Sequence, residues 1–99
     1  MSTTFNKPYC DSLWHTDGWG RESLSRTFDP DKDDSEYVWH VDLENREIEV
    51  IEGEGWQFQF QDCLPLLLEK GMVFRVNGHE YHRLIKGITP LKCRIYKNV

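Results

Sequence analysis

Six consecutive residues, Trp56-Gln57-Phe58-Gln59-Phe60-Gln61, alternate strictly between aromatic rings and amides. A helix turns about 100° per residue and would scatter the three rings around its circumference. An extended chain instead sends successive side chains to opposite faces, so the rings share one face and the amides the other. The segment is predicted to be a half-buried strand. A strand with one apolar face needs a second layer to cover it, which already points to a sandwich or barrel.

The rest of the chain from Leu24 onward has the same character. Short runs of β-branched and aromatic residues are separated about every ten residues by Gly, Pro, Asn and Asp. The predicted strands are 24–28, 36–43, 46–52, 56–61, 66–69, 72–76, 80–86 and 91–97. No stretch of about ten residues shows helical periodicity. Arg46 to Ile51 and Trp56 to Gln61, joined by Gly53-Glu54-Gly55, are expected to form a hairpin. In the last strand Leu91, Cys93 and Ile95 share a face and Lys92, Arg94 and Tyr96 take the other, so Cys93 is expected as a small buried group.

A chain of 99 residues is expected to hold one core, and the strands make residues 24–99 an all-β domain. Residues 1–23 differ. They lack alternation yet carry Tyr9, Trp14 and Trp19, the last flanked by Gly18 and Gly20. This is expected to be an irregular aromatic arm or lid that packs on the barrel or crosses to a second subunit.

The formal net charge of -5 argues against nucleic acid, because phosphate binding needs a surplus of Lys and Arg on one face. The opening residues hold no apolar stretch suited to a signal sequence, and no run of about 18 apolar residues occurs, so no membrane partner and a cytoplasmic location are expected. The three cysteines, Cys10, Cys63 and Cys93, have no CxxC spacing; they are expected to be reduced. Asp29, Asp31 and Asp33 are spaced by two, but a calcium loop would need Gly and Glu where Asp34 and His40 stand, so a solvated turn is expected.

Two spacings bring in a resemblance. The segment starting at His40 has the form HxHx3Ex6G of the first cupin motif, with His40 at the first His, Asp42 at the second, Arg46 at the Glu and Gly53 at the Gly. The segment from Gly71 to His82 has the spacing of the second motif, Gx5PxGx2H, with Asn77 at the Pro and His79 at the Gly. Gly78 next to it is expected to supply the freedom to turn. The chain thus resembles the cupin superfamily over residues 36 to 97, and is similar to short cupin-like proteins of bacteriophage genomes. The resemblance implies a double-stranded β-helix, the jelly-roll barrel.

Alternation places His40 and Asp42 on one face with Val38, Arg46 on one face with Ile48 and Val50, and His82 on one face with Glu80 and Leu84. If those faces line the barrel, His40, Asp42, Arg46 and His82 converge. One reading is a metal-free pocket in which Arg46 pairs with Asp42 and the histidines donate to a small polar or anionic ligand, with Trp39 or Trp56 as a stacking wall. A second is a metal-dependent enzyme such as an oxygenase or isomerase, with His40, Asp42 and His82 holding Fe, Mn or a similar divalent ion. HxD with a distant His is also the ligand pattern of 2-oxoglutarate oxygenases, although Lys92 and Arg94 alternate outward. A third is a satisfied polar network without activity, and a fourth an interaction protein working through the arm. His15, His79, Tyr81 and Arg83 are assigned to surface or contact roles, and sheet edges suggest a homodimer.

Overall fold

The computed structural model describes residues 9–16, 22–33 and 35–97. Eight strands occur among them: β1 (Tyr9–Thr16), β2 (Glu22–Phe28), β3 (Arg46–Glu52), β4 (Gln57–Phe60), β5 (Leu66–Leu67), β6 (Val73–Val76), β7 (His82–Ile85) and β8 (Leu91–Lys97). A single 3-10 turn, Ser35–Tyr37, separates β2 from β3. The strands form two antiparallel sheets, one ordered β1-β2-β8-β3-β6 and the other β5-β4-β7. No helix among the described residues is long and apolar enough to cross a membrane.

Period-two alternation fills the space between the sheets. Leu91, Cys93 and Ile95 of β8 face inward, as do Val50 of β3, Phe58 of β4 and Leu84 of β7. Burial pushes the Cys93 thiol up to about 12, which leaves it a neutral packing group. Trp56 lies at the centre with 0% exposure. Its indole Nε1–H donates to the Thr89 carbonyl at 2.5 Å, and its ring meets Phe28 and Tyr37 at 6.4 and 5.8 Å. Truncation of such a residue costs about 3–5 kcal/mol, so Trp56 is a principal anchor of the sandwich.

Three expectations are corrected. First, β3 and β4 do not form a hairpin: β3 pairs with β6 and β8, while β4 pairs with β5 and β7. Residues 53–55 carry the chain from one sheet to the other, with Gly53 at φ 144° and Gly55 at φ 82°. A Cβ on Gly53 would come within 2.7 Å of Leu91 Cδ1, so the crossing needs glycine there for space as well as for φ.

Second, residues 36–43 are not a strand. The 3-10 turn occupies the start, and one isolated bridge, His40 to His82, is the β pairing recorded there. Tyr37 therefore packs on the core and Val38 is exposed, the reverse of strict alternation. Third, residues 9–16 are a strand and not an irregular segment: β1 pairs antiparallel with β2 through its backbone, with a register irregularity between Cys10 and Leu13. The expected Gly18–Gly20 turn and the packing of Trp14, His15 and Trp19 lie outside the described residues and side chains. The Asp29–Asp33 segment is a turn, in which the Asp31 amide donates to the Asp29 carboxylate at 2.8 Å and Lys86 pairs with Asp33 at 3.0 Å.

Candidate metal centre

The site is assembled where the 36–45 segment crosses β7. His40 and His82 bond to one another through both backbone amides, N to O at 3.0 Å in each direction, which sets their rings 4.3 Å apart. His82, 2% exposed, is further fixed by stacking on Phe58 at 5.2 Å and an interplanar angle of 16°. Each imidazole is also held by its own chain two residues back. His40 Nδ1 lies 2.8 Å from the Val38 carbonyl and His82 Nδ1 lies 2.7 Å from the Glu80 carbonyl. A carbonyl can only accept, so both Nδ1 atoms carry a proton, which leaves Nε2 of each ring as the atom an ion would take once it is deprotonated.

Asp42 is delivered by a second set of contacts. Its carbonyl accepts the His79 amide at 2.7 Å, and the Gly78 amide donates to Asn45 Oδ1 at 2.8 Å. A Cβ on Gly78 would sit 3.1 Å from the Leu43 oxygen, so glycine permits this close approach. The positive φ falls one residue later, on His79 at 64°, not on Gly78 as expected. His79 itself is exposed, in keeping with a surface role. The Asp42 carboxylate, 8% exposed, points Oδ2 at His82 Nε2 across 3.2 Å and Oδ1 at Arg46 Nη1 across 3.6 Å. Arg46, at the start of β3, donates its Nε–H to Glu44 at 2.8 Å.

Burial works hardest on the Asp42 carboxyl and opposes its charge, but the His82 contact and the Arg46 guanidinium outweigh it and hold the pKa below the usual carboxylate value. At the other end, Glu36 Oε1 lies 3.2 Å from His40 Nε2. The two are an ion pair when His40 is protonated, and His40 Nε2 is buried without a well-aligned hydrogen bond. Burial again opposes charge on both groups, yet their mutual attraction leaves the Glu36 pKa lowered and the His40 pKa raised.

All four residues singled out from the sequence are brought to this point. Asp42, Arg46, His82 and Glu36 line a partly open cavity of about 30 Å³, otherwise walled by core side chains such as Phe58 and Leu91. One probe-sized water needs about 10–15 Å³ of such space, so the cavity admits an ion or a water or two. Trp39 is exposed on the outer face beneath the Arg83 guanidinium, 4.9 Å from its ring, and Trp56 is closed inside the core, so neither is a wall of this cavity. Tyr81 is also exposed. Glu36 and Glu44 were not among the expected site residues. The spacing of Glu36 to His40, four residues, is a turn spacing that period-two reasoning passes over.

The donor set fits a metal ion. One donor atom from each of His40, Asp42 and His82 lies within 4.8 Å of the other two. His40 Nε2 is buried without a well-aligned hydrogen bond, and the carbonyl-held Nδ1 atoms are the outer contacts that ligating histidines need. Arg46 opposes a cation by charge, but its Nε is already committed to Glu44.

Two antiparallel sheets closing on a histidine and carboxylate cluster define a cupin-type jelly roll, and the solved structures agree. A cupin-2 domain protein from Shewanella frigidimarina superposes with a TM-score of 0.64 at 17% identity, over 89% of this chain and 79% of that one. A structure from work on the DMSP lyases RdDddP and RnDddQII gives 0.68 at 19% identity, over 81% of this chain. The Fe(II) form of HppE gives 0.58 at 21%, over 78% of this chain. This chain spans 39% of the lyase chain and 42% of the HppE chain. These likenesses show the fold. No protein-family profile matches the sequence, and no curated protein matches it either.

Proposed function

We propose that this chain is a metal-binding cupin-fold domain that holds one divalent transition-metal ion through His40 Nε2, Asp42 Oδ2 and His82 Nε2. The observation that carries this reading is the convergence of His40, Asp42 and His82, one donor atom from each within 4.8 Å of the other two, with His40 Nε2 buried and without a well-aligned hydrogen bond. Two imidazoles and one carboxylate suit Fe(II), Mn(II) or a similar ion. When bound, such an ion supplies Lewis acidity and open coordination positions, the chemistry of a metal-dependent cupin enzyme. The chain's residues do the rest. Val38 and Glu80 carbonyls fix the tautomers, Phe58 holds the His82 ring, and Arg46 draws on Asp42 Oδ1 so that Oδ2 faces the imidazoles. Similar solved structures include an Fe(II) protein and lyases, which support the class of chemistry and not a substrate.

The alternative of a pocket for a free polar or anionic metabolite has less support, because ligand pockets run to about 300–1,000 Å³ and this cavity is about 30 Å³. Elemental analysis after growth with added Fe and Mn tests the proposal. One ion per chain in the wild type, lost in Asp42→Ala and His82→Ala, is the expected result. Wild-type protein free of transition metal that also takes up none in vitro overturns it.

A further inference from the structure

We infer that the outer face of the smaller sheet carries a second, separate site: a hollow between Trp39, Gln61 and Tyr81 that binds a neutral carbohydrate by stacking on the C–H face of a pyranose ring. The hollow is open to the surface and has a volume of about 270 Å³, near the lower end of the roughly 300–1,000 Å³ of small-molecule pockets. Trp39 is 44% and Tyr81 49% exposed. His40 and His82 face inward from the bridge that joins them, so their chain neighbours Trp39 and Tyr81 lie on the opposite side. The inference therefore stands apart from the ion.

The register builds this face from the amides that alternate with the core aromatics of β4. Gln59 pairs with Arg83, and just beyond β4 the Gln61 backbone amide donates to the Tyr81 carbonyl at 3.0 Å. Gln59 also steadies Trp39 through a relay. Its Nε2 donates to the Cys63 carbonyl at 2.9 Å, its Oε1 accepts the Arg83 Nε–H at 2.8 Å, and the Arg83 guanidinium lies 4.9 Å from the Trp39 ring centre. A large ring held in place at the surface before anything binds loses little freedom when a ligand covers it.

The lining selects the ligand. Trp39, Gln61 and Tyr81 are all uncharged, so a phosphate, carboxylate or ammonium group finds no counter-charge among them. Each joins an apolar body to a polar tip, and among the described residues no hydrogen bond engages the Trp39 indole N–H, the Gln61 side-chain amide or the Tyr81 hydroxyl. A purely apolar ligand would cover those tips and leave them unpaired, at a cost. A pyranose with equatorial hydroxyls suits both halves of the lining, because its axial C–H groups make the ring faces apolar while its hydroxyls project from the edge.

Titration of the full chain with cellotetraose, a neutral β-linked glucan fragment, tests this, followed by the NMR signals of the tryptophan indole N–H groups. A saturable shift of the Trp39 signal, assigned by its disappearance in Trp39→Phe, is expected, while the signal of the buried Trp56 stays in place. Gln61→Ala and Tyr81→Ala are each expected to weaken binding about tenfold, the loss of one hydrogen-bonding partner. Glu49→Gln, a control on β3 in the other sheet, is expected to match wild type. A wild-type Trp39 signal that does not move up to about 10 mM sugar overturns the inference. Wild-type affinity in folded Gln61→Ala and Tyr81→Ala overturns it equally. So does a Trp39 signal that moves on dilution of the protein alone, because a second copy of the chain then covers the hollow.

Discussion

In the metal-free protein, Asp42→Asn keeps the shape of a buried side chain and removes its charge. Asp42 faces His82 at 3.2 Å and Arg46 at 3.6 Å. Deleting one partner of a buried ion pair costs about 3–5 kcal/mol when the other charge is stranded. Here Arg46 is not stranded, because Glu44 holds its Nε at 2.8 Å. The loss is therefore that of a charged hydrogen bond, about 1.5–3 kcal/mol. In urea, with a slope of about 1–2 kcal/mol per M, the midpoint falls by roughly 1 M. The assay is equilibrium unfolding with a chelator present, at several pH values. The folded Asp42 pKa is depressed, so its stabilisation is present above the unfolded value of about 3.9 and is lost as pH falls through the folded one. The gap between the two proteins should be constant above about pH 4 and close below it. An Asp42→Asn protein as stable as wild type at pH 7 would refute the electrostatic argument.

Three further outcomes are expected. The folded His40 pKa is raised by Glu36 despite burial, so its contribution is full below about pH 6.5 and lost as pH rises through the folded value; chelated wild type should lose stability from about pH 6.5 upward in chemical unfolding, and Glu36→Gln should not show that loss. A Cβ at Gly87 would meet Trp56 Cδ1 at 2.3 Å and the Glu54 oxygen at 2.4 Å; Gly87→Ala should therefore cost about 3 kcal/mol or more by thermal unfolding, beyond ordinary overpacking, because backbone has to move. His79 adopts φ 64° without being glycine, so His79→Gly should raise stability by up to about 1 kcal/mol, read as a higher urea midpoint.

Alternation identified β3, β4 and β8 because each has one face in the core, and the burial of Val50, Phe58 and Cys93 follows from it. It predicts a face but not a partner, which is why the glycine connection at 53–55 passed for a hairpin when it joins two sheets. The register irregularity in β1 breaks the period that a strand search relies on. Around the site, His40 and Asp42 do point inward, but through a turn and a single bridge instead of a strand. A turn brings residue i towards i+4, so Glu36 enters the site by a rule the strand reading did not apply. The exposed Trp39 and the size of the cavity depend on three-dimensional packing that no local pattern contains.

The central claim is that His40, Asp42 and His82 meet at one ion. Anomalous diffraction from crystals grown with Mn(II) or Co(II), collected on both sides of the metal's absorption edge, tests it most directly. The account predicts one strong peak about 2.0–2.3 Å from His40 Nε2, an Asp42 carboxylate oxygen and His82 Nε2. A map with no peak there would contradict it.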